Sequence, residues 1–164
     1  MSNLIKGFDP FYDRESRVLI LGSFPSVKSR EQCFYYGNPR NAFWRILSTF
    51  FGEEIPASTE QKKAFLSAHK IALWDVVTEC EIVASRDETI KNFKVANINS
   101  VLQNSSVECI LINGGKAFSI FVKHFGGLEI PCFKLPSTSP ANARRKDEEW
   151  YAALKRVFSP SEII

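Results

Sequence analysis

Four short segments of the chain contain the residue types that could bind a ligand or take part in a reaction. They are residues 22–40, 75–87, 113–116 and 135–145. Together they supply carboxamides, a carboxylate, hydroxyl groups, aromatic rings and basic side chains. Carboxamides and carboxylates hydrogen-bond to polar edges, aromatic rings stack on planar groups, and basic side chains bind anions. These residues are the candidates for ligand binding and catalysis.

Two asparagines and two phenylalanines stand out in and just after the first segment. Asn41 lies just before a run with helical spacing, so it could cap a helix as readily as contact a ligand. Asn38 precedes a proline, which is typical of a turn. Phe24 follows a predicted strand, and Phe43 lies on the apolar stripe of the predicted helix, where ordinary core packing is an equal alternative.

The second and third segments each follow a predicted strand. Asp75 could accept hydrogen bonds from ligand N–H groups or cap the following turn. Gly114, with the free backbone N–H groups expected there, and Lys116 suit a phosphate, although paired glycines at a strand-to-helix turn are common without one. Residues 85–87 receive no role.

The fourth segment combines hydroxyl groups with the densest positive cluster of the chain. Ser137, Thr138 and Ser139 are small donors that could grip a phosphate backbone. Arg144 and Arg145 belong to the cluster, which could instead be a solvated basic turn before a helix.

Four nearly continuous apolar runs predict strands that are buried on both faces: residues 18–21, 71–77, 109–112 and 130–133. Their alternation with helical segments predicts an α/β fold, a three-layer α/β/α sandwich around a central, mostly parallel four-stranded sheet. In such sheets ligands bind where the carboxyl ends of the strands give way to loops, and all four segments lie there.

Helical spacing is clearest in residues 43–51 and in residues 117–125, where Ala117, Phe118, Phe121, Val122 and Phe125 form the predicted apolar face. A capping-box pattern predicts a third helix over residues 58–70. Further helices are expected over residues 97–104 and from near residue 143 to the C-terminal region.

Length and composition limit the classes of protein. The chain has 164 residues, 45% of them hydrophobic, and a formal net charge of +3, which predicts one folded domain over residues 1–164. No apolar run is long enough to cross a membrane, and residues 1–10 lack a secretory pattern, so a cytoplasmic protein is expected. Four cysteines without close CxxC pairs predict free thiols and no metal cluster.

Three stretches carry a family resemblance: Gly22–Ser26 (GSFPS), residues 35–44 (YYGNPRNAFW) and residues 136–142 (PSTSPAN). In this order on this strand pattern, they resemble the uracil-DNA glycosylase superfamily, and within it the hypoxanthine-DNA glycosylase branch. The resemblance covers about residues 7–158. It implies an enzyme that extrudes a deaminated base from DNA and hydrolyses its N-glycosidic bond.

The resemblance also implies roles for individual residues. Asn41, with Asn38 as the alternative, would hold the attacking water through its amide oxygen and donate to the substrate through its NH₂ group. Phe24 or Phe43 would stack on the flipped base. Asp75 would bind the edge of the base. Ser23 would contribute to the same binding site.

The DNA backbone would be bound by residues of all the loops, namely Ser26, Gly114, Lys116, Ser137, Thr138, Ser139, Arg144 and Arg145. The sequence departs from many relatives at two positions. Phe24 stands where they place an Asp or Asn that orients water, and Leu135 aligns with a histidine that donates to the leaving base. The hypoxanthine branch lacks both groups too.

The expected protein is therefore a monomeric DNA glycosylase that needs no cofactor or metal and produces an abasic site without cutting the strand. Its partner would be DNA containing deaminated bases. One alternative is a glycosylase with uracil or mixed specificity. Another is a nucleic-acid-binding domain without catalytic activity, which the residues Phe24 and Leu135 make plausible.

Overall fold

The computed structural model describes residues 4–158, so the predictions for residues 1–3 and 159–164 lie outside the described part. Seven strands and six helices follow one another in it: β1 (Ile5–Lys6), β2 (Val18–Gly22), α1 (Val27–Gln32), α2 (Phe43–Phe51), α3 (Thr59–Ala68), β3 (Ile71–Asp75), β4 (Val77–Glu81), β5 (Lys91–Val95), α4 (Ile98–Gln103), β6 (Cys109–Asn113), α5 (Gly115–Phe125), β7 (Cys132–Leu135) and α6 (Glu148–Val157).

The central sheet has four strands in the order β3-β2-β6-β7, and every neighbouring pair is parallel. All residues of β2, β3 and β6 are buried. Because side chains alternate between the two faces of a strand, this burial means that both faces of the sheet are covered. The predicted α/β class and parallel sheet are confirmed.

The edge strand β7 departs from the sequence prediction. Only its last residue, Leu135, is fully buried, and Lys134 is exposed. The strand pairs with β6 alone, so part of its surface remains open to solvent. Its residues also lie two positions later than the apolar run suggested.

A second, antiparallel sheet with the order β1-β4-β5 was not predicted. The apolar run over residues 71–77 was interpreted as one strand, but β3 ends at Asp75 and the chain enters the other sheet at Val77. Strand β5 is mostly exposed and carries lysines, so it shows no apolar run. Because β5 lacks an apolar run, the hydrophobic pattern of the sequence does not predict this sheet.

The predicted helices are present with corrected limits. Helix α6 begins at Glu148 and not near residue 143, because the preceding residues form turns in which Asn142 and Arg145 bond to backbone carbonyls. On α5 the buried face includes Ile120, whereas Val122 is 51% exposed. The short helix α1 was not predicted.

Candidate active site

The carboxyl ends of the four parallel strands open into one cavity of about 550 Å³, which we call the central cavity. The last residues of β2, β3 and β6 and the loop after β7 form its wall, as expected for an open parallel sheet. Its lining comprises Gly22, Ser23, Phe24, Pro25, Ser26, Ser29, Tyr35, Tyr36, Asn38, Asn41, Asp75, Ser85, Arg86, Asp87, Glu88, Asn113, Ser137, Thr138, Ser139, Pro140, Ala141 and Asn142.

Tyr36, like Tyr35, is an aromatic lining residue to which the sequence analysis assigned no role. Its ring lines the central cavity and stacks on Phe43 behind it, with 3.9 Å between the ring centroids. Phe43 is 1% exposed and is not a lining residue, so its expected role as a stacking face is corrected to core packing. Phe24 does line the cavity and is 7% exposed. No pattern in the sequence marks Tyr36 out, since its φ of 54°, in the left-handed region, is a property of the folded backbone.

Asn41 lies in the wall at the start of α2. Its Oδ1 accepts a hydrogen bond from the Phe43 backbone N–H at 2.9 Å. The bond supports the turn into α2 from the residue before the N-cap Ala42, a helix-start role that the sequence left open beside ligand contact. The oxygen retains a second lone pair, and the NH₂ group remains available to a ligand.

Asn38 also lines the central cavity, and its Oδ1 accepts from the Arg40 backbone N–H at 2.9 Å. Its carbonyl oxygen accepts from the Asn41 N–H at 2.9 Å. Asn38 therefore forms the turn expected of an Asn-Pro sequence and holds Asn41 in position.

Asp75 is the most perturbed acidic group of the cavity. It is 4% exposed, and its Oδ2 is buried without a hydrogen-bond partner. Burial, reinforced by the nearby Asp87, raises the pKa of Asp75 to about 8. Asp75 is thus a neutral acid near neutral pH, and it can both donate and accept a hydrogen bond.

Gly22 allows Asp75 to sit where it does. A Cβ atom at Gly22 would lie 2.6 Å from the Asp75 Oδ1 and 3.2 Å from the Tyr36 hydroxyl oxygen. Residues 22 and 75 are paired in register across β2 and β3. A side chain at position 22 would therefore displace the Asp75 carboxyl group and the Tyr36 ring from their positions in the cavity wall.

The connection between β4 and β5 forms one side of the cavity. Its Asp87 accepts a hydrogen bond from the Ser23 hydroxyl at 2.8 Å. Nearby, the Ser85 hydroxyl accepts from the Val27 backbone N–H at 2.9 Å, and Arg30 donates to the Ala84 carbonyl at 2.8 Å. Residues 85–87, which had no assigned role, are thus fixed against the first loop.

Hydrogen bonds fix the loop after β7 to β6 and to the start of α2. Asn113 and Thr138 form two hydrogen bonds, of 2.9 and 3.0 Å, and the Thr138 carbonyl accepts from the Ala42 N–H. The Ser137 hydroxyl accepts from the Ser139 backbone N–H at 3.1 Å. Thr138 is only 1% exposed but belongs to the cavity lining. Its hydrogen bonds tie this loop to α2, and its contact with a DNA backbone stays a prediction.

Ser26 caps helix α1. Its hydroxyl accepts from the Ser29 backbone N–H at 3.1 Å and donates to the Ser29 hydroxyl at 3.0 Å. The Ser29 hydroxyl in turn accepts from the Gly37 N–H at 2.9 Å. Ser26 lines the cavity, but its geometry first of all connects the first loop to the segment that carries Tyr36.

Gly114 is buried, and its N–H donates to the Leu135 carbonyl at 2.9 Å, so the free N–H expected there is not available. Its φ is 99°, and a Cβ would lie 3.2 Å from that of Ser137. The glycine therefore serves close packing. Lys116 is partly buried, is not a lining residue, and lies near enough to Asp87 to lower that group's pKa.

The two arginines of the basic cluster differ. Arg145 donates to Asp147 at 2.7 Å, its side chain is 13% exposed, and Arg45 from α2 pairs with the same carboxylate at 3.2 Å. Arg145 is therefore an ion-pair residue in this structure, and its contact with DNA stays a prediction. Arg144 is exposed.

Within residues 4–158 no group of three or more His, Cys, Asp or Glu side chains is arranged to hold a metal ion. No helix in that range is long and apolar enough to span a membrane.

Comparisons with known proteins agree on one family. Residues 10–157 match the model of the uracil DNA glycosylase superfamily. A hypoxanthine DNA glycosylase of Methanosarcina acetivorans is 32% identical over 155 residues, which cover 92% of this chain and 98% of the relative. A hypoxanthine DNA glycosylase of Methanosarcina barkeri is 35% identical over 115 residues, which cover 68% of this chain and 72% of that protein.

Solved structures also resemble this chain. The solution NMR structure of a candidate uracil DNA glycosylase from Methanosarcina acetivorans superimposes with a TM-score of 0.82 at 31% sequence identity. The match covers 94% of this chain and 98% of the other.

Proposed function

The chain belongs to the uracil DNA glycosylase superfamily, and we propose on this basis that it removes deaminated bases from DNA, with hypoxanthine favoured. The observation that carries the proposal is the central cavity, where a stacking ring, a neutral acid and carboxamides meet at the carboxyl ends of the parallel strands. A base must leave the duplex to reach such a cavity.

Binding of the extruded base would rest on Tyr36 and Asp75. The Tyr36 ring, supported by Phe43, offers a flat face for stacking, and Phe24 adds a second aromatic surface. The neutral carboxyl group of Asp75 can donate to the carbonyl oxygen of hypoxanthine and accept from its ring N–H. The same pairing fits uracil, which supports the mixed-specificity alternative.

Cleavage of the glycosidic bond places positive charge on the sugar and negative charge on the departing base. In our proposal the Asn41 NH₂ group donates to the substrate and its oxygen keeps one lone pair for water, because the other accepts from Phe43. Asn38 is the alternative for the water. The lining includes no lysine, so a Schiff base, and with it strand cutting, is not expected.

The DNA backbone would be bound at the mouth of the cavity. Ser137 and Ser139 retain their hydroxyl protons for phosphate oxygens, because both oxygens act as acceptors within the loop. Arg144 and Lys116 supply positive charge. We also retain in this proposal a single-domain monomer that acts in the cytoplasm without a cofactor.

The test is incubation with duplex oligonucleotides that contain one inosine, uracil or xanthine, followed by alkali, which cuts at abasic sites. We expect cutting that depends on the protein, fastest at inosine. Fastest cutting at uracil would favour the mixed-specificity alternative. Tight binding of lesion DNA without any cutting would overturn the proposal in favour of a binding domain.

A further inference from the structure

A carboxylate from an unassigned segment lies beside the first loop. Asp87, in the connection between β4 and β5, accepts a hydrogen bond from Ser23 at 2.8 Å. Ser23 directly precedes Phe24, whose apolar side chain cannot orient water. Both Ser23 and Asp87 line the central cavity. A carboxyl group from outside the first loop is therefore held next to the position where that loop offers none.

A positioned carboxylate that accepts a proton from the attacking water accelerates the cleavage, and the cavity lining contains three carboxyl groups. Asp75 is buried and uncharged near neutral pH. Glu88 is exposed, and its carboxylate accepts from Arg86 at 2.9 Å. Among the lining residues, Asp87 is thus the partly buried acid whose Oδ1 is held by Ser23 while its Oδ2 remains for the water.

The carboxamides are weaker candidates for proton acceptance. The side-chain oxygens of Asn38 and Asn41 accept from the backbone N–H groups of Arg40 and Phe43. A neutral amide oxygen is also a poor base, so these residues can orient a water molecule or a substrate without taking its proton.

We propose that Asp87, oriented by Ser23, is the group that accepts the proton of the attacking water in the glycosylase reaction. The inference rests on the proposed function. Its anion would also stabilise the positive charge that develops on the sugar. Ser23 is a positioning residue because its hydroxyl donates to one carboxylate oxygen of Asp87, a residue of the cavity lining, and leaves the other oxygen for the water.

The step balances as a hydrolysis. One proton of the water passes to the Asp87 carboxylate while the water oxygen bonds to C1′ of the sugar. The C1′–N bond breaks, and its electron pair leaves with the base. The departing base takes up one proton from solvent. Asp87 later releases the proton that it received from the water, so the number of protons is unchanged. The products are the free base and an abasic sugar with a hydroxyl at C1′.

Three titratable groups lie near Asp87. They are Asp75, the neutral acid at the end of β3, Lys116 on α5, and Glu88 in the same segment. Burial raises the pKa of Asp87, whereas the Ser23 hydrogen bond and Lys116 counteract that rise. A carboxylate whose pKa is raised by burial is a stronger base than one in water.

The experiment compares wild type with Asp87→Asn and Ser23→Ala in single-turnover excision of hypoxanthine and of uracil, across a range of pH. General-base catalysis contributes about 10²–10⁴-fold to a rate. We expect Asp87→Asn to lower both excision rates by at least about 100-fold while its affinity for lesion DNA and its melting temperature stay near wild type. Glu60→Gln, at an exposed carboxylate on α3, is the matched control.

The pH profile supplies a readout that a structural role would not change. The wild-type rate should fall at low pH as Asp87 gains a proton, and Asp87→Asn should lose this fall. Ser23→Ala keeps the carboxylate but removes a hydrogen bond that lowers its pKa, so the fall should move to higher pH.

Two results would overturn the assignment of Asp87 while leaving the function intact. One is excision by Asp87→Asn at the Glu60→Gln rate, and the other is a loss confined to one of the two bases, which would make Asp87 a specificity residue. If wild type excises neither base, the proposed function itself fails, so the two failures are distinguishable.

Discussion

The ring of Tyr36 lies almost parallel to the ring of Phe43, with 3.9 Å between centroids and 20° between planes. The two residues have different roles despite this contact. Phe43 is fully enclosed and also makes an edge contact with Trp150 of α6, whereas Tyr36 lines the cavity. The core of α2 thus supports the surface on which a base would stack.

Tyr36→Ala should weaken binding of DNA that contains inosine by about 10- to 100-fold, because base stacking contributes about 1–3 kcal/mol per base. Tyr36→Phe retains the ring and removes a buried hydroxyl that has no hydrogen-bond partner. It should therefore bind like wild type and be at least as stable. Fluorescence anisotropy with lesion DNA and urea unfolding measure the two properties. Equal binding by all three proteins would exclude Tyr36 as a stacking surface.

Phe43→Ala should lower the free energy of unfolding by about 3–5 kcal/mol, since it opens a cavity in the core beside Tyr36 and Trp150. The milder Phe43→Leu should cost less and preserve lesion binding. Urea unfolding checks the prediction. A Phe43→Ala variant with wild-type stability would contradict the core assignment.

Asn41 combines a capping role with a proposed catalytic one, and two substitutions separate them. Asn41→Ser retains a side-chain oxygen for the Phe43 N–H, whereas Asn41→Ala does not. We expect Asn41→Ala to lose about 1 kcal/mol of stability and Asn41→Ser to lose little. Both should lower hypoxanthine excision by about 10²-fold or more, since both lack the NH₂ donor.

Single-turnover excision assays measure the rates, with Asn38→Ala as the comparison. If Asn41→Ser excises at the wild-type rate, the residue serves only as a cap. If Asn38→Ala alone loses activity, the water-holding role passes to Asn38.

Asp75 should make stability depend on pH. Its pKa is raised from 3.8 to about 8 in the folded protein, so the native state keeps a proton that the unfolded chain releases above about pH 4. The free energy of unfolding should therefore fall as pH rises through that window and level off above about pH 8, when both states have lost the proton.

Asp75→Asn removes the titration and keeps the size of the side chain. Its stability relative to wild type should increase between about pH 5 and pH 8 by up to several kcal/mol, given roughly 1.4 kcal/mol per pKa unit. Urea unfolding at three pH values provides the test. Parallel stability curves for the two proteins would show that Asp75 is ionised throughout.

Substitution of Arg144 should affect DNA binding, whereas substitution of Arg145 should affect stability. Arg144→Ala, at an exposed position, should weaken binding to all DNA sequences alike and reduce the slope of log K against log salt by about 0.9. Arg145→Ala breaks the 2.7 Å pair with Asp147, so it should lower stability by about 1–2 kcal/mol. Salt titrations of DNA binding and urea unfolding measure the effects. An unchanged salt slope in Arg144→Ala would remove it from the DNA surface.

The sequence by itself determined the parallel sheet and the place of the site. Continuous apolar runs such as the one at Val18 indicate strands buried on both faces, and the loops after such strands share one edge of the sheet. The ordered motifs that contain Ser23, Asn41 and Ser137 identified the family, since motif residues are local in sequence.

Tertiary structure alone decided which side chains meet. Ser23 and Asp87 are 64 positions apart, and their contact depends on the antiparallel sheet, whose exposed strand β5 has no hydrophobic pattern. The sequence also did not show that Tyr36, and not Phe43, lines the cavity. Helical spacing shows that a residue lies on an apolar face, but it does not show which of two stacked rings covers the other. Burial raises the pKa of Asp75 through neighbours from other strands, so its charge state follows from the folded environment.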